Sequence, residues 1–336
     1  ENINKAKSNI ILDCTDNMET RFLLNDYCKK NNIPLVHSAA IKSIGTIFTV
    51  YKGPCLRCIY SSTKILEDCS TSGILNTTAS LIASIQANEA LKNADQTLNI
   101  ATRIIAAKIQ NSRQILLRAS REAKEENEAI ELRKNADSFL PLLTKLKDGF
   151  ELNEIRGIEG IAAKNYFSVF KYMIRQDRDY FPFEARTRRP PLDRTNALLS
   201  FLYSLLLNEC ISALEGVGLD PQMGFLHALR SGRPALGLDL MEELRSFICD
   251  RLALALINRK QLQKNDFDER PGGAVLLNEE GRKKVIVAYQ KRKQEEITHP
   301  ILESRIPFGL IPHVQARLLA RHLRGDMEYY EPFLVR

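Results

Sequence analysis

The hydrophobic pattern of this chain changes once, near residue 96, and that change limits the folds that the chain can adopt. Before it, two short apolar runs enclose a helical repeat at 17–31, and β-branched residues alternate at 44–52. After it, strand patterns nearly vanish and long helical repeats follow one another. Alternating strands and helices form α/β units, whereas consecutive amphipathic helices pack on one another. We therefore expect an α/β fragment at 1–95 and an all-α domain at 96–336.

The same patterns place the individual elements. Strands are predicted at 9–13, 34–39 and 44–52, and helices at 17–31, 77–92, 100–135, 137–147, 158–176, 193–215, 222–229, 238–260, 278–296 and 311–324. Pro190 and Pro191 lock an extended path before a helix that Asp193 or Thr195 caps. A second break, at 263–273, is expected to be a surface loop or hairpin.

Composition restricts the class of protein. The 336 residues suit two domains, and 44% apolar with 26% charged residues is typical of a globular protein with no run of apolar residues long enough to cross a bilayer. The N-terminus lacks a basic stretch followed by an apolar region, so no secretion is expected. Seven cysteines, an odd number spread along the chain, favour a reducing cytoplasm. The net charge of +7 is compatible with nucleic-acid binding or with a solvated basic surface.

Four polar residues stand in apolar surroundings. Asp239 and Glu242 are three residues apart on a predicted helix, which is common on solvated helices but unusual on one so apolar. His227 and Glu159 occupy similarly apolar segments. Burying such groups without partners is costly. A shared divalent cation would remove that cost, as would a hydrogen-bonded core histidine or a buried salt bridge.

The N-terminal part resembles the ThiF/MoeB family of ubiquitin-activating-like adenylyltransferases over about 85 residues. The similar segments are LDCTDNMETRFLLND, IPLVHSAAI, GPCLRC and DCSTSGI. The resemblance implies a partial Rossmann-like fold in which Asp16 helps to bind ATP and magnesium, with Asn17 beside it. It also implies that Cys55 and Cys58 supply half of a structural zinc site, and that Cys69 falls where some members carry a cysteine used in acyl or sulfur transfer.

Other interpretations of these residues stay open. No glycine-rich phosphate-binding turn is present in 1–95. Asp16 is equally well placed to cap the helix that follows it. Because no second CxxC follows, zinc at Cys55 and Cys58 needs Cys69 or His37 as a further ligand.

The remainder of the chain resembles the CRISPR-associated spacer-acquisition integrases ("Cas one"), closest to their type I-C members. The similar segments, in order, are EGIAAKNYF, RTRRPPLDRTNALLSFLYSLL, GLDPQMGFLH, SGRPALGLDLMEELR and VQARLLARHLRGDMEYYEPF. The resemblance implies a cytoplasmic hydrolase of antiviral defence that binds Mg²⁺ or Mn²⁺, cleaves DNA and integrates spacer DNA. The family's metal ligands fall on Glu159, His227, Asp239 and Glu242.

The resemblance also implies DNA as partner, a homodimer, and the companion protein Cas two. Basic residues on the first long helix and beside the proline pair are candidates for phosphate contacts, although each also fits a solvated face. These are Lys108, Arg113, Arg118, Arg186, Arg188 and Arg189. Asn165, Tyr166, Asn196 and Tyr203 are candidates to line the site, and helix packing explains the tyrosines equally well.

The two resemblances meet abruptly near 93–101. Integrases of this family normally carry an N-terminal β-rich domain that helps to form the dimer, and here the adenylyltransferase-like fragment stands in its place. The join is either a natural fusion or an artefact. The alternatives to integration are therefore adenylation, or sulfur-carrier activation, by the N-terminal half, or a fusion fragment without catalytic activity.

Overall fold

The computed structural model describes residues 10–41, 44–51, 53–60, 94–147, 151–228, 230 and 232–335. The chain divides into two compact units, Glu1–Gln96 and Thr97–Arg336. The helix predicted at 77–92, and Cys69, lie outside the described residues.

The described part of the first unit is a small α/β structure. Its elements are β1 (Ile11–Asp13), α1 (Met18–Asn31), β2 (Leu35–Ile41), β3 (Ile44–Val50) and α2 (Leu56–Tyr60). Strand β1 pairs in parallel with β2, and helix α1 connects these two strands. Strand β2 pairs antiparallel with β3. Cys28, Leu35, Val50 and Leu56 form a small core. The strand–helix–strand prediction for this region is confirmed.

Helix α1 is capped by Asn17 and not by Asp16. The Asn17 side chain accepts a hydrogen bond from Thr20 N at 2.8 Å, which satisfies one of the free N–H groups of the first turn. Asp16 is exposed and accepts a local bond from Asn17 Nδ2 at 3.2 Å. The capping role considered for Asp16 was therefore wrong by one position.

The second part is mainly helical. Its helices are α3 (Ala94–Glu122), α4 (Glu126–Asp137), α5 (Phe139–Lys145), α6 (Leu152–Ser168), α7 (Arg194–Gly216), α8 (Ala235–Arg245), α9 (Arg251–Asn258), α10 (Glu279–Gln294) and α11 (Ile311–Leu323). Two short hairpins interrupt them: β4 (Phe267–Glu269) with β5 (Val275–Leu277), and β6 (Glu296–Thr298) with β7 (Arg305–Pro307). The prediction of an all-α domain is therefore correct for most of this part but missed the hairpin of β6 with β7.

Four predicted helices differ from the structure. The one predicted at 158–176 forms as α6, Leu152–Ser168, followed by a 3₁₀ turn at Phe170–Met173. The helix predicted at 100–135 is divided between α3 and α4, and the one predicted at 238–260 is interrupted by a π-helical turn at Ser246–Asp250. The helix predicted at 222–229 does not form, and its described residues adopt turns. The reason is that the Asp239 side chain accepts hydrogen bonds from the backbone N–H groups that a helix would have used.

Helix α7 runs through the core of the helical unit. An 18-residue window of this helix has a mean hydropathy of 1.6, so by length and composition alone the helix could span a membrane, contrary to the expectation from the sequence. In the structure Leu198, Leu199, Leu202 and Leu206 are fully buried against other helices, among them α8 and α11. Burial of its apolar residues by protein accounts for their number.

Candidate metal centre

The Asp239 carboxylate organises the segment 225–227. Asp239 is fully buried on α8, and its Oδ2 accepts hydrogen bonds from Phe225 N at 2.5 Å and Leu226 N at 2.9 Å. Its Oδ1 accepts from His227 N at 3.1 Å and contacts His227 Nδ1 at 2.6 Å. Four charge-assisted bonds thus compensate the burial of one carboxylate and use both of its oxygens.

The close approach of the segment 225–227 to Asp239 depends on Gly224. A Cβ at that position would lie 2.7 Å from Ala235 Cβ and 2.8 Å from Asp239 Oδ2. Either distance is shorter than atomic contact allows, so a side chain would push the segment away from α8. The sequence therefore needs glycine at this point for the backbone to reach the carboxylate.

His227 is held in one orientation by the same carboxylate. The bond from Nδ1 to Asp239 places the proton on Nδ1 in the neutral ring and leaves Nε2 as the free acceptor nitrogen. Nε2 lies 3.9 Å from Glu242 Oε1, and the imidazole is partly exposed. A carboxylate behind a histidine that presents its other nitrogen is the arrangement found at many metal sites.

Glu159 and Glu242 converge on one ammonium group. Glu159 lies on α6 and Glu242 on α8, and Lys108 Nζ on α3 contacts Glu159 Oε1 and lies 2.6 Å from Glu242 Oε2. The Glu242 side chain is only 4% exposed. Although Lys108 is this close, Glu242 Oε2 accepts no hydrogen bond of normal geometry within the described part of the chain. Two carboxylates from different helices therefore share one cation.

Arg245 provides the second positive charge at Glu242. Its Nη2 lies 2.8 Å from Glu242 Oε1, one helical turn away. Burial alone would raise the pKa of Glu242, but Arg245 and Lys108 outweigh it and lower the pKa to about 2. Glu242 is therefore ionised at neutral pH. Sequence reasoning missed Arg245, although a basic residue three positions after a buried acid was visible in the sequence.

The four predicted ligands are thus brought together, but with different surroundings. Glu159, Glu242 and the free nitrogen of His227 face one region, whereas Asp239 is committed to backbone N–H groups and His227. As the side chains stand, no three carboxylate, histidine or cysteine groups among the described residues are arranged to hold a metal ion. Carboxylate oxygens and imidazole nitrogens are the kinds of ligand that divalent cations bind in proteins, and two of the carboxylates here already contact one cation, the Lys108 ammonium.

A second polar cluster lies beside this site. Tyr203 OH donates to Asp250 Oδ1 at 2.6 Å, and the guanidinium groups of Arg186 and Arg245 both lie within cation–π distance of the Tyr203 ring. Burial raises the pKa of Asp250 to about 6. Tyr203 thus contacts Arg245, and its role in lining the site stays a prediction.

The other three candidates for lining the site make hydrogen bonds or packing contacts with neighbouring residues. Asn165 Nδ2 donates to Ser138 Oγ at 3.2 Å, and Asn196 Nδ2 donates to Ala185 O at 2.8 Å. Tyr166 is buried against Phe170 and borders a small cavity beside Lys108. Helix packing is enough to explain these three positions.

The six basic candidates divide by exposure. Arg118, Arg188 and Arg189 are exposed, and Arg118 pairs with Glu122 at 2.8 Å. Arg113 is mostly buried and lies 3.6 Å from Asp137. Arg186 is half-buried and donates to Asn196 Oδ1 at 2.7 Å and Ser200 Oγ at 3.0 Å, and burial lowers its pKa. Lys108 belongs to the carboxylate cluster.

The N-terminal candidates lie in a separate unit. Cys55 Sγ and Cys58 Sγ are 3.6 Å apart, close enough to share a zinc ion. His37 is not available as a third ligand, because its Nδ1 contacts Asp13 Oδ2 at 2.5 Å and its Nε2 contacts Tyr60 OH at 3.1 Å. Cys69 lies outside the described residues, so the zinc site stays a prediction.

Glu243, next to Glu242, holds the C-terminal segment on α8. Its side chain is fully buried and accepts hydrogen bonds from Tyr330 OH at 2.7 Å, Gln315 Nε2 at 3.0 Å and Phe333 N at 3.2 Å. Burial outweighs these bonds and raises the pKa of Glu243 to about 8. The C-terminal segment is therefore fixed to the helix that carries Glu242.

This raised pKa predicts a pH-dependent stability. Between about pH 6.5 and 8, folded protein keeps a proton on Glu243 that the unfolded chain has released, so the free energy of unfolding should fall as pH rises, by at most ~1.4 kcal/mol per pH unit. Asp250, with a pKa of about 6, has titrated below this window. Urea unfolding across the window measures the slope. Glu243→Gln should flatten it, and an unchanged slope in that variant would contradict the assignment.

Two carboxylates, an oriented imidazole and adjacent cations within a helical unit define a class of site suited to a divalent cation. Family comparison gives the particular family. The model described as "CRISPR associated protein Cas1" matches residues 71–291, and that described as "ThiF family" matches residues 2–130. A curated relative, "CRISPR-associated endonuclease Cas1 1" of Moorella thermoacetica, is 56% identical over 74% of this chain and 73% of its own length. The chain belongs to the Cas1 family.

Solved structures share the fold. A chain of a "Casposase bound to integration product" gives a TM-score of 0.63 at 23% identity over 91% of this chain and 76% of that one. A chain of a "Cas6-RT-Cas1--Cas2 complex" gives a TM-score of 0.63 at 21% identity, covering 96% of this chain and 31% of that one. At these identities the likeness extends to the fold alone.

Proposed function

We propose that this chain is a metal-dependent DNA endonuclease and integrase that acts in CRISPR spacer acquisition, a part of antiviral defence. Its relative in Moorella is named an endonuclease, and the casposase that shares its fold is named with an integration product. The observation that carries the proposal is the convergence of Glu159 and Glu242 on one cation, with His227 Nε2 3.9 Å from Glu242 Oε1.

Glu159, Glu242 and His227 are proposed to hold Mg²⁺ or Mn²⁺. When bound, the ion polarises phosphate oxygens and lowers the cost of forming the attacking oxygen nucleophile. Asp239 fixes the ring and tautomer of His227, and Arg245 keeps Glu242 ionised. We therefore reassign Asp239 from ligand to positioning residue, because its oxygens are already used.

Exposed basic side chains near the site are proposed to hold the DNA backbone. Arg188 borders the cavity beside Lys108, and Arg189 follows it on the same exposed segment. Arg118 is exposed on α3, whereas the bonds and burial of Arg186 favour a structural role. Guanidinium groups bind phosphate oxygens with paired hydrogen bonds, so these positions suit strand positioning without sequence readout.

The partners proposed are DNA, a Cas2 protein and a second copy of this chain, acting in the cytoplasm. The Cas2 proposal follows from the name of the complex whose Cas1-containing chain shares the fold. The homodimer is carried over from the family resemblance.

The two-domain division at residue 95, with a partial Rossmann-like N-terminal fragment, is likewise a proposal. The ThiF match over residues 2–130 and the parallel pairing of β1 with β2 around α1 support it. Adenylation through Asp16 is the second candidate function, since Asp16 is exposed where that family binds ATP and magnesium. A folded fragment without catalytic activity is the alternative for this unit.

A strand-transfer assay tests the main proposal. Incubated with a branched DNA substrate, the full chain should nick and join strands in Mg²⁺ or Mn²⁺ and should lose this activity in EDTA, because the carboxylates alone cannot polarise a phosphate. Activity should return when Mn²⁺ is restored. Ca²⁺, which prefers longer bonds and more ligands, serves as a comparison ion. Equal product formation with and without EDTA would exclude a metal mechanism.

A further inference from the structure

Lys108 lies where a divalent cation would have to bind. Its ammonium contacts Glu159 Oε1 and lies 2.6 Å from Glu242 Oε2, and its side chain is only 12% exposed. Two carboxylates on different helices would repel one another without a cation between them. Lys108 supplies that cation from α3 and so holds α6 and α8 together at the site.

An ammonium and a divalent cation cannot share this position. Like charges a few ångströms apart in a poorly solvated site repel strongly, and the oxygens facing Lys108 are those that the ion needs. Arg245 occupies the other oxygen of Glu242 at 2.8 Å, so Lys108 is the group that must leave. Lysine is suited to this, because its charge sits at the end of a flexible stem.

A cavity next to Lys108 can receive the displaced ammonium. It has a volume of about 20 Å³, enough for one water-sized group, and is bordered by Lys108, Tyr166, Arg188, Arg245, Ser246 and Asp250. Ser246 Oγ is buried and has no hydrogen-bond partner among the residues that the structure describes. The Asp250 carboxylate borders the same cavity and supplies a negative charge that offsets the nearby guanidinium group of Arg245. A buried hydroxyl without a partner is costly, and an ammonium donor would satisfy it.

We propose that Lys108 is a displaceable cation: it bridges Glu159 and Glu242 until a divalent ion takes its place, and its ammonium then moves to Ser246 and Asp250. The inference rests on the proposed function, because it assumes that these carboxylates hold the ion. Lys108 is thus a positioning residue that keeps the ligand carboxylates together before the ion binds.

Mn²⁺ affinity measured without DNA tests the first half. Free Mn²⁺ is followed by electron paramagnetic resonance during titration of the full chain. Lys108→Met keeps the length of the stem and removes the competing charge, so it should tighten Mn²⁺ binding about tenfold. Lys284→Met is the matched control, because Lys284 Nζ contacts both oxygens of Asp266 at 2.7 and 2.9 Å, away from the centre, and this variant should leave the affinity unchanged.

A double-mutant cycle tests the movement itself. Ser246→Val fills the cavity and removes its acceptor, so it should weaken Mn²⁺ binding roughly tenfold in the Lys108 protein and have no effect in Lys108→Met. Ser246→Thr, a smaller change, should give a smaller loss if the valine variant folds poorly. Equal effects of Ser246→Val in both backgrounds, or none in either, would overturn displacement.

The remaining outcomes are also assigned. Unchanged or weaker Mn²⁺ binding by Lys108→Met, while Glu242→Gln abolishes binding, would overturn this inference and leave the metal centre intact. Absence of Mn²⁺ binding in both the unaltered protein and Lys108→Met would instead count against the metal centre, and so against the proposed function.

Discussion

Glu242→Gln should reduce metal-dependent strand transfer about a thousandfold. Of the two carboxylates proposed to bind the metal ion, Glu159 and Glu242, Glu242 is the more buried, with 4% of its side chain exposed. The positive charge that polarises the phosphate depends on the ion that Glu242 holds. Losing a correctly held Lewis acid costs several kcal/mol of transition-state stabilisation, and each ~1.4 kcal/mol is tenfold in rate. The rate of product formation, at the Mn²⁺ concentration that saturates the unaltered protein, measures the effect.

A matched control separates chemistry from general loss of a buried ion pair. Glu209 Oε1 lies 2.6 Å from Lys293 Nζ, so Glu209→Gln breaks a similar pair away from the centre. It should retain near-normal strand transfer. If Glu242→Gln folds normally and still joins DNA at a comparable rate, the centre is not catalytic.

Asp239→Asn should destabilise the helical unit by about 3 kcal/mol and weaken Mn²⁺ binding. An amide nitrogen cannot accept the N–H groups of Phe225 and Leu226 or the bonds of His227, so a buried donor would face a donor. Because Asp239 acts through His227, we expect a 10- to 100-fold loss of Mn²⁺ affinity, roughly that of other residues that orient a ligand. Urea unfolding and Mn²⁺ titration measure the two effects.

The exposed Asp326 provides the comparison for stability. It lies 3.3 Å from Arg324 at the surface, and Asp326→Asn should change the free energy of unfolding by less than about 0.5 kcal/mol. If Asp239→Asn proves as mild as this surface change, the carboxylate does not organise the segment 225–227. If instead it abolishes Mn²⁺ binding as completely as Glu242→Gln, Asp239 is a ligand after all.

Part of the centre could be predicted because it depends on helical spacing. Asp239 and Glu242 are three residues apart on an apolar helix, and this alone indicates two acids on one face. Spacing does not distinguish their roles. Asp239 meets three backbone N–H groups, whereas Glu242, one turn later, meets Lys108 and Arg245. Those partners come from elsewhere in the chain, so no local pattern contains them.

The failed helix at 222–229 has the same explanation. Its residues are apolar enough for a helix. A hydrophobic pattern takes into account only interactions within the segment itself. A carboxylate from α8 offers the N–H groups of Phe225, Leu226 and His227 a better acceptor than their own carbonyls. The contact between Gly224 and Ala235 that allows this exists only after folding.

Sequence patterns alone predict the change from α/β to helical structure near residue 96, most of the helices, and the residues proposed for the metal centre. Periodicity and side-chain chemistry are local properties of the sequence, so they can be recognised without knowledge of the fold. The folded arrangement is needed to show that Glu242 faces the Lys108 ammonium, that Asp239 orients His227, and that Lys108 joins the two carboxylates. Those roles depend on distances between α3, α6 and α8, which hydrophobic burial sets when the helices pack.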